Sequence, residues 1–131
     1  MRPQGFPPAL RIRSGRDFDR AFREGASAGD DRLVVHARPN GGPHPRLGLA
    51  VGKGVGGAVV RNRVKRLLRE AFRRSRGSLP PSHDLVVVAK PGGSGPWTLE
   101  EAERSLLGLA AKAAERLARG GERRGRRGPG G

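Results

Sequence analysis

Arg61-Asn62-Arg63-Val64-Lys65-Arg66-Leu67-Leu68-Arg69-Glu70-Ala71-Phe72-Arg73 is at once the best amphipathic helix of this chain and its densest run of positive charge. At about 100° per residue, Val60, Val64, Leu67, Leu68, Ala71 and Phe72 fall on one arc, and Arg61, Asn62, Lys65, Arg66, Arg69 and Arg73 on another. Burying the apolar arc is worth roughly 1.5–3 kcal/mol for each large side chain. The helix can dock on a core and still hold its charges outward, where they call for an anion.

Working outward, the helix is predicted to start near Ala58 and to end before Gly77, with Ser78-Leu79-Pro80-Pro81-Ser82 as the break. The strand after it, Asp84 to Lys90, holds a continuous apolar run that implies burial on both faces. Upstream, Arg32–Arg38 alternates, with Leu33, Val35 and Ala37 on one side and Val34, His36 and Arg38 on the other. Arg46–Val51 repeats the alternation, setting Leu47, Leu49 and Val51 against Arg46, Gly48 and Ala50. The Pro-Gly-rich stretch between them suits a hairpin connection. One sheet face is thus aliphatic. The other is small, polar and basic, and is read either as a solvated face or as the floor of a cleft for single-stranded nucleic acid.

Ser14 and Asp17 form a weak capping box before a short helix, Gly15 to Glu24, that stops at Gly25. It places Phe18, Ala21 and Phe22 on one side, the two aromatics serving equally well as core or as a platform for stacked bases. Gly25 to Asp31 is a possible short fourth strand. Thr98 and Glu101 make a capping box ahead of a last helix, whose stripe of Leu99, Ala102, Leu106, Leu109, Ala110, Ala113 and Leu117 covers the sheet.

Gly52-Lys53-Gly54-Val55-Gly56-Gly57 matches G-x-G-x-x-G between a strand and a helix. A dinucleotide site also needs an acid at the end of the next strand, and this one ends in Lys90. The unit also follows a predicted hairpin instead of opening a parallel sheet, and Lys53 lacks the following Ser or Thr of a P-loop. Nucleotide chemistry is the weakest reading of this loop.

The chain has 131 residues, enough for one domain, and carries 27 Lys and Arg against 12 Asp and Glu, a formal net charge of +15. Such an imbalance strains the compact state by self-repulsion and implies a polyanionic partner, nucleic acid first. Cysteine is absent, and the three histidines lack metal-ligand spacing. No apolar run reaches the length of a membrane span or of a signal-peptide core, so no membrane partner and a cytoplasmic location are expected. The division is an extended segment at 1–9, a folded domain at 10–119, and a basic Gly/Arg tail at 120–131 expected to be disordered. No carboxylate pair, nucleophile with a base, or metal cluster marks catalytic chemistry.

The stretch Ala58-Val59-Val60-Arg61-Asn62-Arg63-Val64-Lys65-Arg66-Leu67-Leu68-Arg69-Glu70-Ala71-Phe72-Arg73 resembles the Arg-Asn-Arg helix of the protein component of bacterial ribonuclease P. The likeness extends from about Leu10 to Leu117. It takes in Asp17-Phe18 and Phe22, Arg46-Leu47-Gly48-Leu49-Ala50-Val51, Lys53, Val55-Gly56, and Asp84-Leu85-Val86-Val87-Val88-Ala89. It implies an α+β fold, a two-layer α/β sandwich of the ribosomal protein S5 domain 2-like type, with a left-handed βαβ crossover carrying that helix. Such crossovers are right-handed in about 98% of cases, so the left hand rests on the resemblance alone.

The resemblance further implies an RNA-binding subunit of an endoribonuclease, which assists a catalytic RNA in removing the 5′ leader of precursor tRNA and leaves a 5′-phosphate. The RNA subunit uses Mg²⁺, and the protein itself binds no cofactor and supplies no catalytic residue. By position, Arg61, Asn62, Arg63, Lys65, Arg66 and Arg69 would contact the catalytic RNA subunit. Phe18, Phe22, His36, Arg46, Lys53 and Lys90 would line the cleft for the single-stranded leader. The chain makes three departures from the family's usual wording. Gly52-Lys53-Gly54 stands for Ser-Lys-Lys, Gly57 for Asn, and His36 for a larger aromatic.

Overall fold

A computed structural model describes residues 10–12, 14–91 and 98–127. The segment 1–9, most of the loop before the last helix, and the last four residues of the expected tail lie outside them. The element order is α1 (Gly15–Glu24), β1 (Ala26–Gly29), β2 (Leu33–Pro39), β3 (Arg46–Ala50), α2 (Ala58–Ser75), β4 (His83–Ala89) and α3 (Leu99–Arg127), with a 3-10 turn at Lys53–Val55 before α2 and another at Arg76–Ser78 after it. The possible fourth strand is real and makes a hairpin with β2, Ala28 standing opposite Val35. At its turn the Asp30 carboxylate accepts the backbone N–H of Arg32 and of Leu33, both at 2.9 Å.

The four strands lie in the order β1-β2-β4-β3. This corrects the expected hairpin between β2 and β3, because β4 inserts between them. β4 runs antiparallel to β2, with Val35 opposite Val87, and parallel to β3, with Leu49 opposite Val87. The connection 40–45 crosses the start of β4, where Asn40 is fastened: its N–H donates to the Ser82 carbonyl at 2.8 Å and its side-chain amide to Asp84 at 3.1 Å. The continuous apolar run of β4 follows from this place at the centre of the sheet, where both faces are covered. β3, α2 and β4 form a parallel βαβ unit, so the glycine-rich loop does open a parallel crossover. The case against a dinucleotide site then rests on Lys90 alone. Gly56 in that loop has φ 156°, and a Cβ there would come within 2.9 Å of Val60, so only glycine fits.

One sheet face supports the main core. Leu33, Val35, Leu47, Leu85 and Val87 meet Val64, Leu68, Ala71 and Phe72 of α2 and Ala102, Leu106, Ala110 and Ala113 of α3. α3 begins with the predicted capping box, the Glu101 N–H donating to Thr98 Oγ1 at 3.0 Å and the Thr98 N–H to Glu101 Oε1 at 2.9 Å. It continues to Arg127. Adding a residue to an existing helix avoids the cost of nucleation, and the interspersed arginines and Glu122 are good helix formers that offset glycines worth about 1 kcal/mol each.

The opposite face takes α1. Ser14 caps it, its hydroxyl accepting the N–H of Arg16 at 3.1 Å and of Asp17 at 3.4 Å. Ala21 joins Ile12 and Val86 in a second small core, with Phe18 and Val88 packed at its margin. Phe18 lies directly over Gly48, where a Cβ would come within 2.8 Å of its ring. The small residue in β3 is what lets the helix approach.

Candidate nucleic-acid interface

α2 has no side-chain cap at Gly57 and no acid in its first turn. Its buried side is Val64, Leu68, Ala71, Phe72 and Ser75. Asn62, Arg63, Arg66 and Arg69 are exposed, while Arg61 and Lys65 are half-buried at the edge of the core. Among the described residues, no carboxylate pairs with Arg61, Arg63, Lys65, Arg66 or Arg69. The Arg61 Nε is buried and lacks a hydrogen-bond partner, an arrangement that costs free energy until an acceptor arrives. Pairing resumes only at the far end of the helix, where Arg73 meets Glu70 and Arg74 lies 2.9 Å from Glu103. All but one of the arc's cations thus remain uncompensated on a rigid helix that the core holds from behind.

The second candidate surface is the sheet face beside α1. Phe22 is 43% exposed and stands edge-on to His36, ring centroids 4.8 Å apart and planes at 84°. Burial lowers the pKa of His36, which favours a neutral imidazole able to stack on a base. Beyond them, β3, β4 and the following loops form a groove of about 390 Å³ lined by small and apolar residues that include Ala50, Gly52, Gly54, Val88 and Pro91. Lys53 is exposed on the 3-10 turn between two of those glycines. An exposed aromatic pair, a groove with room and an exposed cation are each features that help hold an extended strand with unstacked bases, and Phe22 and His36 stand outside the lining of the groove itself.

Three of the residues expected in this cleft make close contacts within the protein. Phe18 closes over Gly48 and packs, half-buried, at the margin of the small core. Lys90 follows β4 at the end of the groove, but its ammonium donates to the Asp30 backbone carbonyl, and its own N–H to the Arg32 carbonyl at 2.8 Å. Asp30 gains from this. Burial raises its pKa, but the Ser105 hydroxyl, the two backbone N–H groups and Lys90 outweigh that and leave it lowered.

Arg46 is the most heavily paired of the three. Its Nε and Nη2 grip both oxygens of Asp84 at 2.7 Å, and Nη2 also reaches Asp17 at 3.3 Å. The hydrogen bond to Asp84 is the main cause holding its pKa above the ordinary arginine value, against the opposing effect of burial. Bidentate charge-assisted pairs of this kind are the strong ones. Asp84 itself is fully buried, and its only hint in the sequence is a carboxylate opening an apolar strand. Arg38, also on this face, approaches Asp84 at 3.9 Å and Glu24 at 3.2 Å.

A family model described as Ribonuclease P matches residues 6–114. The ribonuclease P protein component of Brevibacillus brevis is 41% identical over 104 residues, 79% of this chain and 82% of the relative. That of Beutenbergia cavernae is 45% identical over 113 residues, covering 81% and 94%. Among solved structures, the RNase P protein from Thermotoga maritima superposes with a TM-score of 0.72 at 36% identity, over 78% of this chain and 96% of that one. The Staphylococcus aureus RNase P protein does so with 0.70 at 32%, over 81% and 95%.

Proposed function

This chain belongs to the ribonuclease P protein family, a component of the machinery that matures tRNA 5′ ends, and from that premise we propose that it is an RNA-binding subunit with two separate surfaces. Arg61, Asn62, Arg63, Lys65, Arg66 and Arg69 dock the catalytic RNA subunit. Phe22, His36 and Lys53 hold the single-stranded 5′ leader of precursor tRNA, and Phe18, Arg46 and Lys90 shape the cleft from below and behind. The bond-breaking chemistry belongs to the RNA subunit and its Mg²⁺, and the protein binds no cofactor of its own. We read the βαβ crossover as left-handed on family grounds, and the site of action as the cytoplasm, where precursor tRNA is made.

The observation that carries this reading is the uncompensated cationic arc of α2. Arg38 and Arg46 under α1 and Arg74 at the far end of α2 each find a carboxylate, whereas here five cations share a rigid surface with none among the described residues. Phosphates are the fitting counter-charge, because the arginine fork matches their geometry.

Reconstitution with the cognate RNA subunit tests it. The protein should be required for efficient cleavage at low Mg²⁺, and should favour precursor over mature tRNA in proportion to the leader present. About six phosphate contacts give a log-log salt slope near −5, at roughly 0.9 per phosphate on the duplex DNA scale. Equal affinity for precursor and mature tRNA would reduce the molecule to a generic phosphate binder. A flat salt response would remove the phosphate contacts altogether.

A further inference from the structure

The charges under α1 form one continuous chain: Glu24 to Arg38 at 3.2 Å, Arg38 to Asp84 at 3.9 Å, Asp84 to Arg46 at 2.7 Å, and Arg46 to Asp17 at 3.3 Å. Arg38, Asp84 and Arg46 stand side by side on β2, β4 and β3 in register. Asp17 and Glu24 sit seven residues apart in α1, hence on one side of the helix. Seven residues rise about 10.5 Å, and two strand spacings measure about 9.5 Å. The helix therefore spans the ladder with an acid over each arginine. The completely buried Asp84 anchors both cations from below. The partner of the next row is Phe22, which meets His36 on β2, while Phe18 meets Gly48 on β3.

We propose that this five-membered ladder is a clamp, in which Asp17 and Glu24 are positioning residues that fix α1 across the sheet and so set the place of the Phe22–His36 wall beside the leader groove. The role goes beyond packing, because among the described residues the small core under α1 has just Ile12, Ala21 and Val86 as buried members, with Phe18 and Val88 at its margin. So thin an apolar contact lets a helix slide, whereas directional ion pairs at both its ends specify one position. The consequence for substrate rests on the leader reading given above. A wall displaced by an ångström no longer meets the base plane, and misplacements of that size are costly wherever geometry carries the recognition.

The test is the double variant Asp17→Asn/Glu24→Gln, which cuts both links to α1 and leaves the Asp84–Arg46 pair intact. Asp19→Asn, an exposed acid of the same helix with no ion pair among the described residues, controls for the loss of one negative charge and is matched in charge to Asp17→Asn alone. Two readouts are taken: nuclear Overhauser contacts between the Phe22 and His36 rings in the free protein, and the ratio of precursor to leaderless tRNA affinity in the holoenzyme. The double variant should lose the ring contacts and about tenfold of the leader-dependent ratio, with affinity for the RNA subunit unchanged. Asp17→Glu should restore most of what Asp17→Asn loses, and Asp19→Asn should match the parent protein.

Retained ring contacts in the double variant would overturn the clamp. Lost contacts with an unchanged leader ratio would overturn its link to substrate, as would an equal loss in Asp19→Asn. If the parent holoenzyme itself shows no leader preference, the leader reading fails and takes that link with it, while the ring contacts still decide whether the clamp holds α1.

Discussion

The outer face of α2 and the sheet face beneath α1 are both rich in arginine and treat it in opposite ways. Under α1, Arg38 and Arg46 share a buried carboxylate and reach two more on the helix above. On α2, Arg61, Arg63, Lys65, Arg66 and Arg69 meet no carboxylate among the described residues. Both faces carry arginine, but its availability differs. A cation already gripped by a bidentate carboxylate must break that pair before it can hold a phosphate. An uncompensated one gains from any phosphate that approaches.

The largest expected effect comes from breaking the gripped side. Asp84→Asn leaves Arg46 without its anchoring charge in a part-buried site, and loss of one partner of a buried pair costs about 3–5 kcal/mol. Equilibrium denaturation by urea should register that loss, and a variant within about 1 kcal/mol of the parent would mean that the pair adds little to stability.

Next comes the open side. Arg63→Gln/Arg66→Gln should lower the magnitude of the RNA-subunit salt slope by about 2, which is roughly 10- to 100-fold in affinity at moderate salt. Its denaturation midpoint should remain that of the parent, because both side chains are exposed. A fall in stability equal to the fall in binding would erase the distinction between the two faces.

A smaller change would convert one kind of arginine into the other. Glu70 is the only acid on α2 and pairs with Arg73, a contact that lowers the pKa of Glu70. Glu70→Gln should release Arg73 to the open face and steepen the salt slope by about one phosphate. An unchanged slope would show that Arg73 lies outside the RNA footprint.

The smallest effect is a pH dependence. Burial holds His36 below its ordinary value of 6.5, so the unfolded chain takes up its proton first as pH falls. Stability from this group is therefore complete above 6.5 and declines as pH drops from there through the folded value. His36→Gln should flatten that limb of a stability-against-pH curve, and an identical limb in parent and variant would assign it to another group.

Much of the molecule follows from local pattern. The two arcs of α2, the Thr98 and Glu101 box, the Ser14 cap and the buried run of β4 were all legible, because each is written within a few residues by helical or strand periodicity. The Arg61-Asn62-Arg63 wording pointed to the family by itself. The net charge of +15 called for a polyanion without regard to the fold.

What the sequence left open is set by contacts distant along the chain. Whether 40–45 closes a hairpin or carries β3 past β4 depends on which strand takes the inner edge of β2, and no local turn signal encodes that choice. Phe18 and Phe22 are four residues apart and alike in type, yet Gly48 receives one and leaves the other facing solvent beside His36. Arg46 and Arg61 are equivalent as charges in the sequence. Only the tertiary structure brings Asp84 to the first and, among the described residues, no carboxylate to the second, because Coulomb pairing depends on ångströms of separation in space and not on position along the chain.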